Sequence, residues 1–546
     1  MANNKNILYT PEITNDYHDE PSMGHLIEKS LRQAGEKVLL VSGITGEELT
    51  AKDLLAKAIQ VAQSLYAAGI RSQDKISLVC ENRFEFAYIL FGSLLLNVTV
   101  APINLTYSER EMIHAFNLSK PKIIFMSPYA SEKVFNVAKT LNYVQKVILF
   151  DEENPFDKTV TLFDDFLKLS MNAGPYIPQS VNKEKSVSYI LCSSGTTGLP
   201  KGVMLSQANL LVVTRFCKDV VLNMPNIPKN EEKVCLALLP WFHAFGITVL
   251  TGVISGALAK IVLLPKFEEA LFLSCIENNR CNIWFMVPPL MVFLAKHPMV
   301  ADYDLSCARI IICGAAPLSK ESEQAVYDRL KIPELRILQG YGMSELSLAV
   351  LLQKNISKPG SVGDLVGGSY AKVIDEHGNA LGPNQKGELC FKGNQLMMGY
   401  INDQDATSSC IDSEGWLHTG DVGYYDEDKQ FFIVERIKEL IKYKGFQVPP
   451  AEIESILLTH PKIKDAAVIG IPDERTGEKA LAYVVKADDT LTEKEVIDFI
   501  AKQTSPAKQL HGGCIFIELI PKNPSGKILR RELRDLYKQS QLKSKL

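Results

Sequence analysis

The sequence lacks a C-x-x-C pair and any histidine–cysteine cluster at metal-ligand spacing, which excludes the familiar zinc and dithiol motifs. Its 11 cysteines are scattered, odd in number and mostly set among apolar neighbours, as Cys235 in VCLALL and Cys313 in IIICGAA. That usage predicts reduced, buried thiols rather than a disulfide framework. Neither sign of charge dominates. Against 63 acidic residues stand 59 basic ones, for a net −4, and the basic footprint of a nucleic-acid or anionic-membrane partner is missing. The N-terminal stretch MANNKNILYTPEITNDYHDEP has no apolar h-region, so no secretory signal is expected. Long hydrophobic runs are few. FAYILFGSLLL (86–96) is too short to span a bilayer, and ITVLTGVISGALAKIVLLP (247–265) is interrupted by Lys260 and glycines. The second reads as a buried helix running into a buried strand, and no transmembrane segment is expected. There is no repeat of fixed period, no low-complexity linker and no evident Ser-His-Asp set.

What is present is material for several folding units: 546 residues, 46% apolar and 22% charged. From about 25 to 435 helix-like and strand-like segments alternate. LTAKDLLAKAIQVAQSLYAAGI (49–70) has helical periodicity and ends at a glycine; KISLVCEN, VTVAPIN, PKIIFMS and QKVILFD are short β-branched runs. The rhythm returns at 234–340 with VCLALLP, AKIVLLP, CNIWFMVPP, ARIIICG and LRILQGYG. Two packed α/β units with parallel sheets follow from it. Between about 355 and 435 short strands separated by D-E-H-G-N and Y-D-E-D-K turns predict a smaller β-rich unit, read as a barrel. The remainder alternates helices and strands as a small α+β domain, and TEKEVIDFIAKQTS opens with a capping-box pattern. The expected fold is therefore α/β: a large N-terminal domain of two α/β subdomains plus a β-barrel (1–435), a hinge (436–441) and a small mobile α+β domain (442–546).

Four stretches carry chemistry. SSGTTGLPKGV (193–203) follows the strand-like SVSYILC, and its glycines and hydroxyls suit an anion cradled by backbone N–H groups. It is not the common nucleotide loop, which needs Ser or Thr directly after its lysine; here Gly202 follows Lys201. QGYGMSE (339–345) ends a strand, where α/β sheets bind ligands, and offers the ring of Tyr341 to a base and Glu345 to a metal. WLHTGDVGYYDED (416–428) sets Asp421 in a turn, a suitable acceptor for ribose hydroxyls. PKNPSGKILRREL (521–533) presents Lys527 from a glycine turn at a helix start.

These stretches, with GWLHTGD and ERIKELIKYKGFQVPPAEIE, stand in the order found in adenylate-forming enzymes. The whole chain resembles that superfamily of acyl-CoA synthetases, 4-coumarate–CoA ligases and beetle luciferases, and is most similar to the luciferase-like fatty acyl-CoA synthetases of beetles. The resemblance implies two steps. A carboxylate attacks the α-phosphate of Mg-ATP to give an acyl-adenylate and pyrophosphate, and the coenzyme A thiol then displaces AMP. It implies that Ser193, Ser194, Gly195, Thr196, Thr197, Gly198 and Lys201 hold the β- and γ-phosphates. Gly314, Ala315, Ala316, Gln339, Gly340 and Tyr341 would shape the adenine slot. Ser344, where the family usually has Thr, would contact phosphate; Glu345 would serve Mg²⁺; Asp421 and Arg436 would bind the ribose. Lys527 would bridge carboxylate and α-phosphate, and His243 would lie beside the adenylate carbonyl.

The small domain would rotate about Lys438 between the steps, bringing Lys442, Lys444 and Gly445, with Lys266, to the coenzyme A side. The acyl pocket would draw on Arg215, Phe216, Phe242, Phe245, Met343, Leu346 and Leu348. Leucines at 346 and 348 replace hydroxyl residues of the light-emitting enzymes, and favour a medium- or long-chain fatty acid over luciferin; a 4-coumarate-like acid would also fit the apolar pocket. Ser544-Lys545-Leu546 reads as a peroxisomal address recognised by an import receptor.

Overall fold

The computed structural model describes residues 6–11, 19–151, 153–174, 176, 179–193, 200–224, 226–354, 358–473, 475–524 and 526–543. Ser544-Lys545-Leu546, read above as an address, lies outside them. Two large sheets dominate. One has eight strands in the order Gly399–Tyr400, Lys201–Ser206, Val187–Ser193, Thr99–Pro102, Lys75–Val79, Ile123–Met126, Lys146–Leu149 and Val160–Leu162. Its central strands are parallel and buried, which is why they read as continuous apolar runs. The other has nine strands, with Arg336–Gly342, Ile310–Cys313, Ile283–Met286, Val234–Ala237 and Lys260–Leu263 consecutive and parallel.

Long helices pack on these sheets with the expected period. Ala51–Ala67 buries Leu54, Leu55, Ala58, Val61, Ala62 and Leu65 along one face. Its first turn is capped by Thr50, whose hydroxyl accepts from the Asp53 amide. Phe84–Leu95 is buried almost all round. The apolar stretch at 247–265 is a helix, Ala244–Gly252, that runs through one π-turn into the strand Lys260–Leu263. Among the described residues no helix is long and apolar enough to cross a membrane. The cysteines carry no disulfide; nine are buried and two half-buried.

The two α/β units are not consecutive in the chain. Val38–Ser42 and Glu48–Thr50, near the start of the chain, complete the second sheet by pairing beside Lys260–Leu263. The β-rich unit read as a barrel is a five-stranded antiparallel sheet in the order Leu8–Thr10, Ser369–Ile374, Gly387–Gly393, Leu417–Tyr425 and Phe431–Arg436. Gly363 bridges Phe431 at one edge, and the adjacent strand Asp364–Leu365 packs near the other edge. The last sheet joins Phe446–Val448, Ile441–Tyr443, Gly477–Lys486 and Ile463–Asp473, with Cys514–Phe516 beside Gly477–Lys486. Helices Pro450–Thr459, Glu493–Ala501 and Arg530–Lys543 accompany it. The capping box expected at Thr492 is half formed. Thr492 accepts from the Glu495 amide, but the Glu495 carboxylate turns to Lys462 and His460.

Candidate active site

A cleft of about 1630 Å³ runs between the carboxyl ends of the nine-stranded sheet, the edge of the five-stranded sheet and the last, small unit. Four chain segments far apart in sequence supply its polar groups. Asp421 and Arg436 are cross-strand partners on Leu417–Tyr425 and Phe431–Arg436, so the register alone places them face to face. The Arg436 guanidinium lies 3.0 Å from one Asp421 carboxylate oxygen. The Tyr341 hydroxyl donates to the other at 2.5 Å. Burial, then the neighbouring carboxylate, push the Tyr341 phenol well above its ordinary range, so it acts as a neutral donor. Gly420 turns the chain before Asp421 at φ +69°.

Lys527 reaches the same cleft from the small unit. Its hairpin is tied by the Asn523 side chain, which accepts from the Lys527 amide at 2.9 Å, and by the isolated bridge Lys522–Ile528. Gly526 sits at φ +79°, and a β-carbon there would lie 3.2 Å from Pro289 of the large unit. The turn can dock so closely only because it is glycine. Burial and the charge of Arg436 hold the Lys527 ammonium down to about 8, against the opposing pull of Asp421 and Glu439.

His243 also lines the cleft, at the start of Ala244–Gly252. Gly246 lets that helix begin hard against the preceding turn, since a β-carbon would fall 2.2 Å from the Pro240 carbonyl. Burial, helped by the charge on Lys527, holds the imidazole down to about 4; it is neutral at physiological pH. Ala315, Ala316, Gln339 and Gly340 line the same space. Gly314 stands behind them, packed toward Gly340 and Phe245. Gln339 is held from two sides: its side chain donates to Glu323 at 2.8 Å, and its amide donates to Gln353 at 2.9 Å.

A second cluster adjoins the glycine-rich loop. Lys201 opens the strand Lys201–Ser206 opposite Ser193, so the loop between them closes a β-hairpin rather than leading into a helix. Ser194, Gly195, Thr196, Thr197 and Gly198 lie outside the described residues. The Lys201 ammonium sits 4.8 Å above the Tyr400 ring, and the Tyr400 hydroxyl donates to Glu345 at 2.7 Å. Glu345 is nearly buried in the short turn Ser344–Leu346. Lys201 and Glu345 are thus joined through Tyr400, a residue that sequence reasoning missed. Its only signal was an aromatic after a glycine in MMGY. Glu345 is an oxygen donor in a site with few other carboxylates, which fits a Mg²⁺ that completes its shell with water and phosphate.

The remaining expected residues divide. Phe242 packs on His243 with ring centroids 5.8 Å apart, and Phe245 meets Phe285 edge to face. Arg215, Phe216 and Leu348 line a separate small cavity of about 30 Å³. Leu346 corrects the expectation. It is fully buried in the core under the five-stranded sheet, with Met343 packed on the same core, because the Ser344–Leu346 turn points it inward. Lys438 lies exposed in the turn after Arg436. Lys442, Lys444 and Gly445 lie on the exposed hairpin Ile441–Tyr443/Phe446–Val448, outside the cleft, with Lys444 at φ +48° and Gly445 at φ +82°. Lys266 is exposed beside Glu268.

A family model described as AMP-binding enzyme matches residues 27–401, and one described as the AMP-binding enzyme C-terminal domain matches 452–527. The chain is 40% identical over 495 residues to the luciferin 4-monooxygenase of Photinus pyralis, covering 89% of each chain. It is 38% identical over 514 residues to 4-coumarate–CoA ligase 1 of Petroselinum crispum, covering 93% of this chain and 92% of that one. The crystal structure of ATP-bound MatB from Rhodopseudomonas palustris superposes with a TM-score of 0.83 at 25% identity, over 95% of this chain and 99% of the other.

Proposed function

The chain belongs to the AMP-binding enzyme family, and from that membership we propose that it is an AMP-forming acid–thiol ligase acting on a medium- or long-chain fatty acid. The observation that carries the proposal is Lys527, a lysine of the small unit buried against Asp421 and Arg436 and within electrostatic reach of His243. Step one asks for charge stabilisation and positioning, because the carboxylate nucleophile is already ionised and needs no general base. Asp421 is set to take the ribose hydroxyls, with Tyr341 and Arg436 holding its carboxylate in place. Lys527 would lie between the substrate carboxylate and the α-phosphate, pairing with the charge that builds as the new P–O bond forms and pyrophosphate departs. Neutral His243 would orient the carbonyl without competing for charge. Mg²⁺, held by Glu345, would supply neutralisation of phosphate charge, and Lys201 would steady the departing pyrophosphate. In step two the thiolate of coenzyme A attacks the acyl carbon and AMP leaves.

The aliphatic choice rests on the apolar rings behind the cleft, Phe242 packed on His243 and Phe245 beside Gly314, since Leu346 faces the core and Leu348 lines the separate cavity. A second reading, an aromatic-acid ligase, draws support from the similarity to 4-coumarate–CoA ligase and from the edge-to-face ring pair at Phe245 and Phe285. Pyrophosphate release with graded fatty acids, cinnamates and luciferin, each with and without coenzyme A, tests the proposal. Turnover with C8–C18 acids that requires coenzyme A is the expected result. Preference for cinnamates would replace the substrate class, and strong light from luciferin would overturn the ligase reading.

A further inference from the structure

Away from the cleft, three side chains of different chemistry converge on the five-stranded sheet. Glu388 and Cys390 are two residues apart on Gly387–Gly393 and so share one face. His418, on Leu417–Tyr425, is the cross-strand partner of Cys390. A carboxylate oxygen, the thiol and a ring nitrogen all lie within 4.8 Å of one another. His418 Nδ1 is 3.1 Å from Glu388 Oε2 and 3.6 Å from Cys390 Sγ. In a tetrahedral zinc site, with Zn–S of about 2.3 Å and Zn–N and Zn–O of about 2.0–2.2 Å, the N–O edge is about 3.3 Å and the N–S edge about 3.6 Å. The two edges that meet at His418 therefore stand near their ligated lengths.

The other ring nitrogen adds an independent observation. His418 Nε2 faces Asp412 Oδ2 at 3.5 Å. A carboxylate behind a histidine fixes the tautomer that leaves the opposite nitrogen as a lone-pair donor, the arrangement found behind metal-bound imidazoles. Cys390 is buried, whereas His418 and Glu388 are partly open to solvent, so an ion has a path in and water can take a fourth position. The ordinary alternative is a half-buried Glu–His pair resting on a core cysteine. That pairing does not call for a second carboxylate on Nε2 or for a thiol aimed at Nδ1.

We propose that Glu388, Cys390 and His418 form a Zn²⁺ site, oriented by Asp412, whose occupation is felt at the nucleotide-binding turn. On binding, the Cys390 thiol releases its proton to solvent and no oxidation state changes. The link to the cleft is direct: the other Glu388 oxygen accepts from the Gly420 amide at 3.0 Å, and Gly420 precedes Asp421. A metal that draws Glu388 toward Cys390 loosens that bond and with it the placement of Asp421.

Titration of the full chain with Zn²⁺ against a chromophoric chelator, and with Co²⁺ for its thiolate charge-transfer band, tests the site. One Zn²⁺ per chain is expected, with the cobalt band absent in Cys390→Ser. Asp412→Asn keeps the oxygen that accepts from the Glu414 and Trp416 amides, so its fold should survive, and it should bind Zn²⁺ about 10–100-fold more weakly. AMP affinity should fall several-fold when Zn²⁺ is added to the wild type and stay unchanged in Cys390→Ser. Absence of stoichiometric Zn²⁺, a cobalt band that persists in Cys390→Ser, equal Zn²⁺ affinity in Asp412→Asn, or AMP binding indifferent to zinc would overturn the proposal.

Discussion

Opposed forces act on the Lys527 ammonium: burial and Arg436 lower its pKa, while Asp421 and Glu439 raise it, and the balance falls at about 8. The charged form is the one that can pair with a carboxylate and a phosphate, so activity should be retained below that value and lost as pH rises through it. ATP brings negative charge that favours the ammonium, so the alkaline limb belongs to the free enzyme. It should appear in kcat/KM for ATP–pyrophosphate exchange with a midpoint near 8, and move upward in kcat. Lys527→Arg should flatten the limb at a lower rate, because a guanidinium does not deprotonate in this range. A limb near 8 that persists in Lys527→Arg would assign it to another group. His243, held to about 4, should contribute no acid limb between pH 6 and 7. At this scale the sequence was informative where a residue's placement is set by its own motif, as with Lys527 on its glycine turn. It was silent on Tyr400, which matters only because the fold brings it between Lys201 and Glu345. Leu346 shows the converse: a single turn residue points into the core or the pocket according to a backbone angle that composition does not encode.

Helices and strands differ in how much of their placement is local. The helix Ala51–Ala67 was readable because its apolar period and its Thr50 cap lie within one stretch of chain. The pairing of Val38–Ser42 with Lys260–Leu263 was not, because strand partnership is decided by residues more than two hundred positions away. The same holds for the capping box at Thr492, where Lys462 and His460, brought in by the fold, take the carboxylate that the local pattern assigned to the backbone. The hairpin that carries Lys527 combines the two cases: its glycine is visible in sequence, its contact with Pro289 is not. Gly526→Ala should strain the backbone by about 1–3 kcal/mol and push a methyl against Pro289. Adenylation should drop at least tenfold while thioester formation from supplied acyl-AMP is retained, and melting temperature should move by only a few degrees. Equal loss of both half-reactions would mean that the hairpin serves the whole fold and not the presentation of Lys527.

At the scale of the molecule, the proposed function would give the small unit two working faces, and the structure turns the one that carries Lys527 to the cleft. Lys527 lines it, whereas Lys442, Lys444 and Gly445 lie on the hairpin outside. Besides the docking of Gly526 on Pro289, few hydrogen bonds among the described residues hold this arrangement. The Lys296 ammonium donates to the Leu458 and Ile463 carbonyls, and the Ala451 amide donates to Glu435. Hydrogen bonds to charged groups are worth about 1.5–3 kcal/mol each, so a turn about Lys438 that gave these up would cost several kcal/mol, to be repaid by contacts made in the second arrangement. A rotation of this kind would explain why one small unit carries two lysine sites that cannot both face a single substrate. Two variants separate the cases. Lys527→Ala should lower ATP–pyrophosphate exchange by about 10²–10³-fold, the usual effect of removing one electrostatic contact made in the transition state, and leave thioester formation from supplied acyl-AMP near wild type. Lys442→Ala should do the reverse, since in the arrangement seen here its side chain is exposed and outside the cleft. If both variants lose the same half-reaction, one arrangement of the chain serves both steps and the rotation is not needed.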